Sequence, residues 1–205
     1  YLNTPSDCAK LVSRAHVRGC AFARKEAQNM GIYVNPGQDA FAISANSEIY
    51  VDKTGLLAFT NSRLGQEKRF LCISRPRRFG KSMAANMLLA YYGKDCDSEA
   101  LFRPLAIAQE ASFKKHLNQY DVLFLNIQQF LRGAGSPDML VGYLEEEVLK
   151  EVCGEFGQFL TAPVTNLPLA LATIYSKQKT DKKGFIIIID EWDCIFREAK
   201  DNHLA

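Results

Sequence analysis

Gly80, Lys81 and Ser82 close one apolar run and open a predicted helix, while Asp190 and Glu191 end a second apolar run. Those side chains, in that order, suit the binding of a polyphosphate and a divalent cation. An anion at such a junction is held by converging backbone N–H groups and by the positive end of the following helix. Gly80 lets the backbone close around an oxygen, Lys81 supplies an ammonium for the β- and γ-phosphates, and Ser82 supplies a hydroxyl for Mg²⁺. Asp190 would hold the Mg²⁺ shell through water, and Glu191, one residue further, would polarise an attacking water.

Two βα junctions must position these groups. Phe70–Ser74 reads as a buried strand, and Ser82–Tyr92 carries Met, Ala and Leu at helix-forming density. Phe185–Ile189 is an unbroken apolar run, β-branched from Ile186 onward, suited to the central strand of a parallel sheet covered on both faces. Such sheets place ligands at the carboxyl ends of their strands. The loop follows the Walker A pattern G-x-x-x-x-G-K-[ST] except at its first glycine, where Arg75 stands, followed by Pro76. Pro76 stiffens the turn, and Arg77 and Arg78 add charge that would lie against phosphate. With Phe79 they complete the expected binding loop through Ser82. A Gly-Lys-Ser tripeptide is a weak signal, and an acidic turn after a buried strand is commonplace; the two together, in Walker A to Walker B order, favour nucleotide binding.

Four stretches resemble the AAA-ATPase-like domain proteins of bacteria: Tyr50–Gly55, Arg75–Ser82, Leu101–Leu105 and Ile189–Asp193. In that family arginine-proline replaces the first Walker glycine, and many members have Tyr where this chain has Trp192. The resemblance runs from about Gly31 to the C-terminus. It implies ATP as ligand with Mg²⁺, hydrolysis driving a conformational switch, and often a following PD-(D/E)XK-type nuclease domain that would bring nucleic acid as a partner. It also implies that the segment through Gly55 approaches the nucleotide base, while an ordinary surface capping turn explains Asp52 and Thr54 equally well. The expected fold is α/β, a three-layer P-loop sheet flanked by helices, with strands at Phe70–Ser74, Asp121–Ile127 and Phe185–Ile189.

In ATPases of this class a further strand returns between the Walker A and Walker B strands and brings a sensor residue. This chain stops at Ala205, fifteen residues after Asp190, and starts at Tyr1 rather than Met. The expectation is therefore a piece truncated after the Walker B strand, without sensor or downstream arginine finger, binding nucleotide with little or no turnover. A gap in the sheet would lower stability and promote self-association.

At 205 residues and 47% hydrophobic the chain can bury a good core, and a net charge of +2 singles out no class of partner. Cys8, Cys20, Cys72, Cys96, Cys153 and Cys194 are widely spaced without a Cys-x-x-Cys, which favours free thiols in a reducing cytoplasm. Cys72 and Cys194 read as small packing residues. Nothing reads as a membrane span or signal peptide.

Residues 1–34 read as an N-terminal helical segment with Lys10, Arg14 and Arg18 on one stripe, and 35–205 as the ATPase-like domain. Glu48–Val51 reads as a short strand, Pro137–Phe156 as an amphipathic helix, and Leu167–Tyr175 as a further helix. Glu145, Glu146 and Glu147 point in different directions on that helix and read as solvated surface. His116, like His16 and His203, reads as a surface or boundary histidine. Two other functions fit the same residues: a non-hydrolysing nucleotide-binding regulatory module, or a nucleic-acid binder using Arg75, Arg77, Arg78 and the basic N-terminal stripe.

Overall fold

Asp121–Asn126 (β1) and Phe185–Asp190 (β2) pair in parallel, from Asp121 opposite Phe185 to Asn126 opposite Asp190. This computed structural model describes residues 31–74, 76, 79–160, 164–178 and 183–201, the last four by backbone alone. The expected N-terminal helices lie outside the described residues. Before the sheet come α1 (Asp39–Ala45), α2 (Gly55–Asn61), α3 (Lys81–Tyr92) and the single turns α4 (Glu99–Phe102) and α5 (Phe113–His116). Parallel strands need a long crossover. Here it is α6 (Ile127–Ala134), α7 (Leu140–Phe156) and α8 (Leu167–Lys177), and α9 (Cys194–Asp201) follows β2.

Alternate strand residues enter different cores, as the pleat requires. Val122 and Ile188 join Phe41, Leu57, Met87, Leu89 and Phe102 from the N-terminal helices. Leu123 and Leu125 join Phe130, Val148, Phe156 and Ile174 from the crossover, together with Cys194. The result is an α/β fold whose two-stranded parallel sheet is flanked by helices.

The last turn of α3 is fixed to α2 by buried polar bonds. The Asn61 amide donates to the Tyr91 hydroxyl at 3.0 Å, Tyr91 donates to the Phe113 carbonyl at 2.8 Å, and Tyr92 donates to Asn61 Oδ1 at 2.8 Å. Burial pushes the Tyr91 phenol up to about 12, so it stays protonated and remains a donor. Phe102 stacks on Phe41 at 4.9 Å and meets Tyr91 edge-on at 5.4 Å. With one end so anchored, α3 holds its N-terminus in a defined place.

One edge of β1 is covered by 33–35. The Asn35 N–H donates to the Val122 carbonyl at 2.8 Å, and Asn35 Oδ1 accepts the Val122 N–H at 2.7 Å. Asn35 does this with φ 48°, a backbone region that asparagine tolerates. The second edge of β2 has no strand partner among the described residues.

Several expectations need correction. Phe70–Ser74 forms no strand, Phe70 is 84% exposed and Cys72 is exposed, so the sheet has two of the three expected strands. Its apolar pattern satisfies half of what a strand requires; the other half is a neighbouring ladder, which none of the described residues supplies there. Accordingly β2 is not buried on both faces: Ile187 and Ile189 are each 52% exposed. Glu48–Val51 is likewise irregular. His116 is buried rather than peripheral, with Nδ1 2.6 Å from the Tyr120 hydroxyl and its ring stacked on Tyr120. The other elements fall where periodicity puts them, with Pro137–Met139 forming a 3₁₀ turn ahead of α7. Lys150 engages Glu146 and Glu147 on the solvated side of α7.

Candidate functional site

Gly80 is the N-cap of α3, with φ 75°, and Lys81 and Ser82 are its first two residues. A left-handed residue at that point turns the chain sharply into the helix, and glycine adopts it without steric cost. The Gly80 carbonyl accepts the Ala84 N–H at 3.0 Å, and among the described residues no side chain caps the helix. The amides of the first turn are therefore aimed out of the helix end without an intrahelical acceptor, the arrangement that receives an anion.

Helix α3 packs on β2, sharing the cluster that contains Ile188 and Ile186. The fold thus brings together the helix opened by Lys81 and Ser82 and the strand ended by Asp190. Asp190 is buried, and its Oδ1 accepts the Glu191 N–H at 2.9 Å. Asn126 sits opposite Asp190 in the register and caps α6 by accepting the Gln129 N–H at 3.1 Å. Both lie at the carboxyl edge of the sheet, where open α/β sheets bind ligands.

Glu191 has φ 55°, uncommon for a residue with a Cβ. Its carboxylate accepts from Arg197 at 3.1 Å, and Arg197 also lies 3.8 Å from Asp193. Trp192, 47% exposed, meets Phe196 edge-on at 6.1 Å. Arg77 and Arg78 lie outside the described residues. Phe79 is exposed, and its carbonyl accepts from Lys53 Nζ at 3.1 Å.

Lys53 arrives from a separately built turn. Asp52 Oδ1 accepts the Thr54 N–H at 2.8 Å and the Thr54 hydroxyl at 2.7 Å, and Oδ2 accepts the Ala106 N–H at 2.8 Å. Thr54 is fully buried, and its hydroxyl oxygen accepts the Ile107 N–H at 3.1 Å. Partial burial works to raise the Asp52 carboxyl, but the Ala106 and Thr54 donors outweigh it and hold its pKa below the ordinary value.

Sequence reasoning missed two contacts. The Lys53 to Phe79 bond spans 26 positions and leaves no periodic signature. Arg197 reaches back from α9 to Glu191, and its only sequence signal is a cation shortly after the acidic turn. The lysine of the Asp52–Gly55 turn meets the loop backbone.

Among the described residues no helix is long and apolar enough to cross a membrane. No curated protein and no solved structure matches the chain. A family model described as a predicted AAA-ATPase matches residues 37–204, and the chain belongs to that AAA-ATPase-like family.

Proposed function

We propose that residues 35–205 form an AAA-like P-loop domain that binds MgATP at the start of α3 and hydrolyses it in the complete protein. The observation that carries this reading is the left-handed Gly80 opening an uncapped helix at Lys81 and Ser82, packed on the strand that ends in Asp190. In this reading the amides around Gly80 and the Lys81 ammonium bind the phosphates, joined by Phe79, Arg77 and Arg78 of the loop. A hydroxyl at Ser82 and a carboxylate at Asp190 are the hard oxygen donors that Mg²⁺ takes. Among the described residues no three acidic, His or Cys side chains converge, which suits a cation that keeps water and phosphate as its other ligands. Bound there, Mg²⁺ supplies charge neutralisation across the phosphate oxygens. In this reading Glu191 orients and deprotonates water.

The resemblance extends the proposal to a cytoplasmic protein whose switch acts on an attached nuclease domain. A second reading, binding without turnover, is favoured by one contact: Arg197 engages the Glu191 carboxylate that a water would otherwise meet.

Titration with a fluorescent ATP analogue, with and without Mg²⁺, tests the proposal beside Lys81→Ala and Glu191→Gln. Saturable binding lost in Lys81→Ala and kept in Glu191→Gln is the expected result. A folded chain that binds nothing, or Lys81→Ala binding like wild type, would remove the assignment. Turnover by wild type, absent in Glu191→Gln, separates the ATPase from the non-hydrolysing module.

A further inference from the structure

Building on the nucleotide reading above, we infer that Lys53 is a further cationic contact for the phosphate chain, delivered to the loop from outside it. Its Nζ lies 3.1 Å from the Phe79 carbonyl, and a Cβ placed on Gly80 would come within 3.0 Å of it. Phe79 and Gly80 are the backbone immediately before Lys81, so this ammonium stands at the phosphate end of the loop.

The placement is built rather than incidental. An exposed lysine ordinarily spreads over many rotamers in water. The residues on either side of Lys53 are fixed: the Asp52 carboxylate takes two amides and a hydroxyl, and Thr54 takes a further amide from Ile107. These bonds tie the turn to Ala106–Gln109, an element remote in sequence from the loop. The Lys53 side chain crosses from this turn to Phe79.

Charge points to the ligand. Lys53 adds a positive group beside a helix N-terminus that is already positive and already carries Lys81. Among the described residues no carboxylate lies within ion-pair distance of Lys53. A carbonyl oxygen is a neutral partner and leaves the ammonium's charge unbalanced. A polyphosphate at the loop is the anion that would balance it. A Cβ at Gly80 would crowd Lys53, but the positive φ is what requires glycine there.

The test is displacement of a fluorescent ATP analogue by inorganic tripolyphosphate, which reports the phosphate contacts without the base. Wild type, Lys53→Met and Lys53→Arg are compared, each checked by thermal melting. Lys53→Met is expected to weaken tripolyphosphate about tenfold, the loss of one charge-assisted contact, with most of it restored in Lys53→Arg. Unchanged displacement in Lys53→Met, with binding still abolished by Lys81→Ala, would overturn the role of Lys53 and leave the nucleotide reading intact. A lowered melting temperature in Lys53→Met with no recovery of affinity in Lys53→Arg would assign the lysine to holding the loop, and would also overturn it. If folded wild type binds neither analogue nor tripolyphosphate, the nucleotide reading falls and the inference falls with it.

Discussion

Arg197 donates to the Glu191 carboxylate at 3.1 Å while Glu191 itself is held at φ 55°. A left-handed conformation in a residue bearing a Cβ costs about 1–2 kcal/mol, and it persists here because its surroundings fix it. The Asp190 carboxylate takes the Glu191 N–H, and the Glu191 carbonyl accepts the Cys194 N–H at 3.1 Å as α9 begins. The strain therefore sits on the residue proposed to orient water. Glu191→Asn, which tolerates this conformation, should keep or raise stability by about 0.5 kcal/mol despite losing the half-buried ion pair, and should stop hydrolysis. Thermal melts beside turnover assays check this; a clear drop in melting temperature would place the stabilising contribution in the Arg197 pair instead.

Asp52 gives the clamp under Lys53 a pH dependence whose sign follows from its donors. Its folded pKa lies below the ordinary 3.8 because amide and hydroxyl donors outweigh the effect of burial. The stabilisation is therefore complete above the unfolded value and is lost as pH falls through the folded one. Asp52→Asn should cost about 1 kcal/mol at neutral pH, a modest figure because the residue is exposed. The gap between wild type and variant should close as the pH drops below about 4. Urea unfolding from pH 3 to pH 7 measures it, and a gap independent of pH would mean that the carboxylate's charge contributes nothing.

What could be read from the sequence was whatever local periodicity determines. Helix α3, strands β1 and β2, and helices α7 and α8 each bury a repeating set of apolar residues, so type and approximate limits follow from spacing. The Gly80–Lys81–Ser82 turn was legible because a left-handed glycine before a helix is a local device. Phe70–Ser74 shows the limit of that reasoning. Its apolar residues allow a strand, but pairing is a property of the neighbour as much as of the segment, and among the described residues no ladder engages it. His116 was misread for the complementary reason: it lies in a polar stretch, and its burial comes from Tyr120. Lys53 and Arg197 belong to the same class, side chains whose roles depend on a carbonyl or carboxylate brought near by the fold.

The open face of β2 makes neighbouring isoleucines unequal. Ile186 and Ile188 point into the cluster under α3, whereas Ile187 and Ile189 are each 52% exposed. Because the side-chain period is two, a one-residue slip would exchange these sets, so substitution on adjacent positions tests the register directly. Ile188→Thr places a hydroxyl in the core and should cost about 1–3 kcal/mol. Ile187→Thr keeps a β-branched residue on the exposed face and should change stability by no more than about 0.5 kcal/mol. If the chain self-associates through that face, Ile187→Thr should also reduce concentration-dependent light scattering, since an exposed apolar strand is a template for pairing. Equal destabilisation by the two substitutions would contradict this register, and scattering unchanged by Ile187→Thr would move any association to another surface.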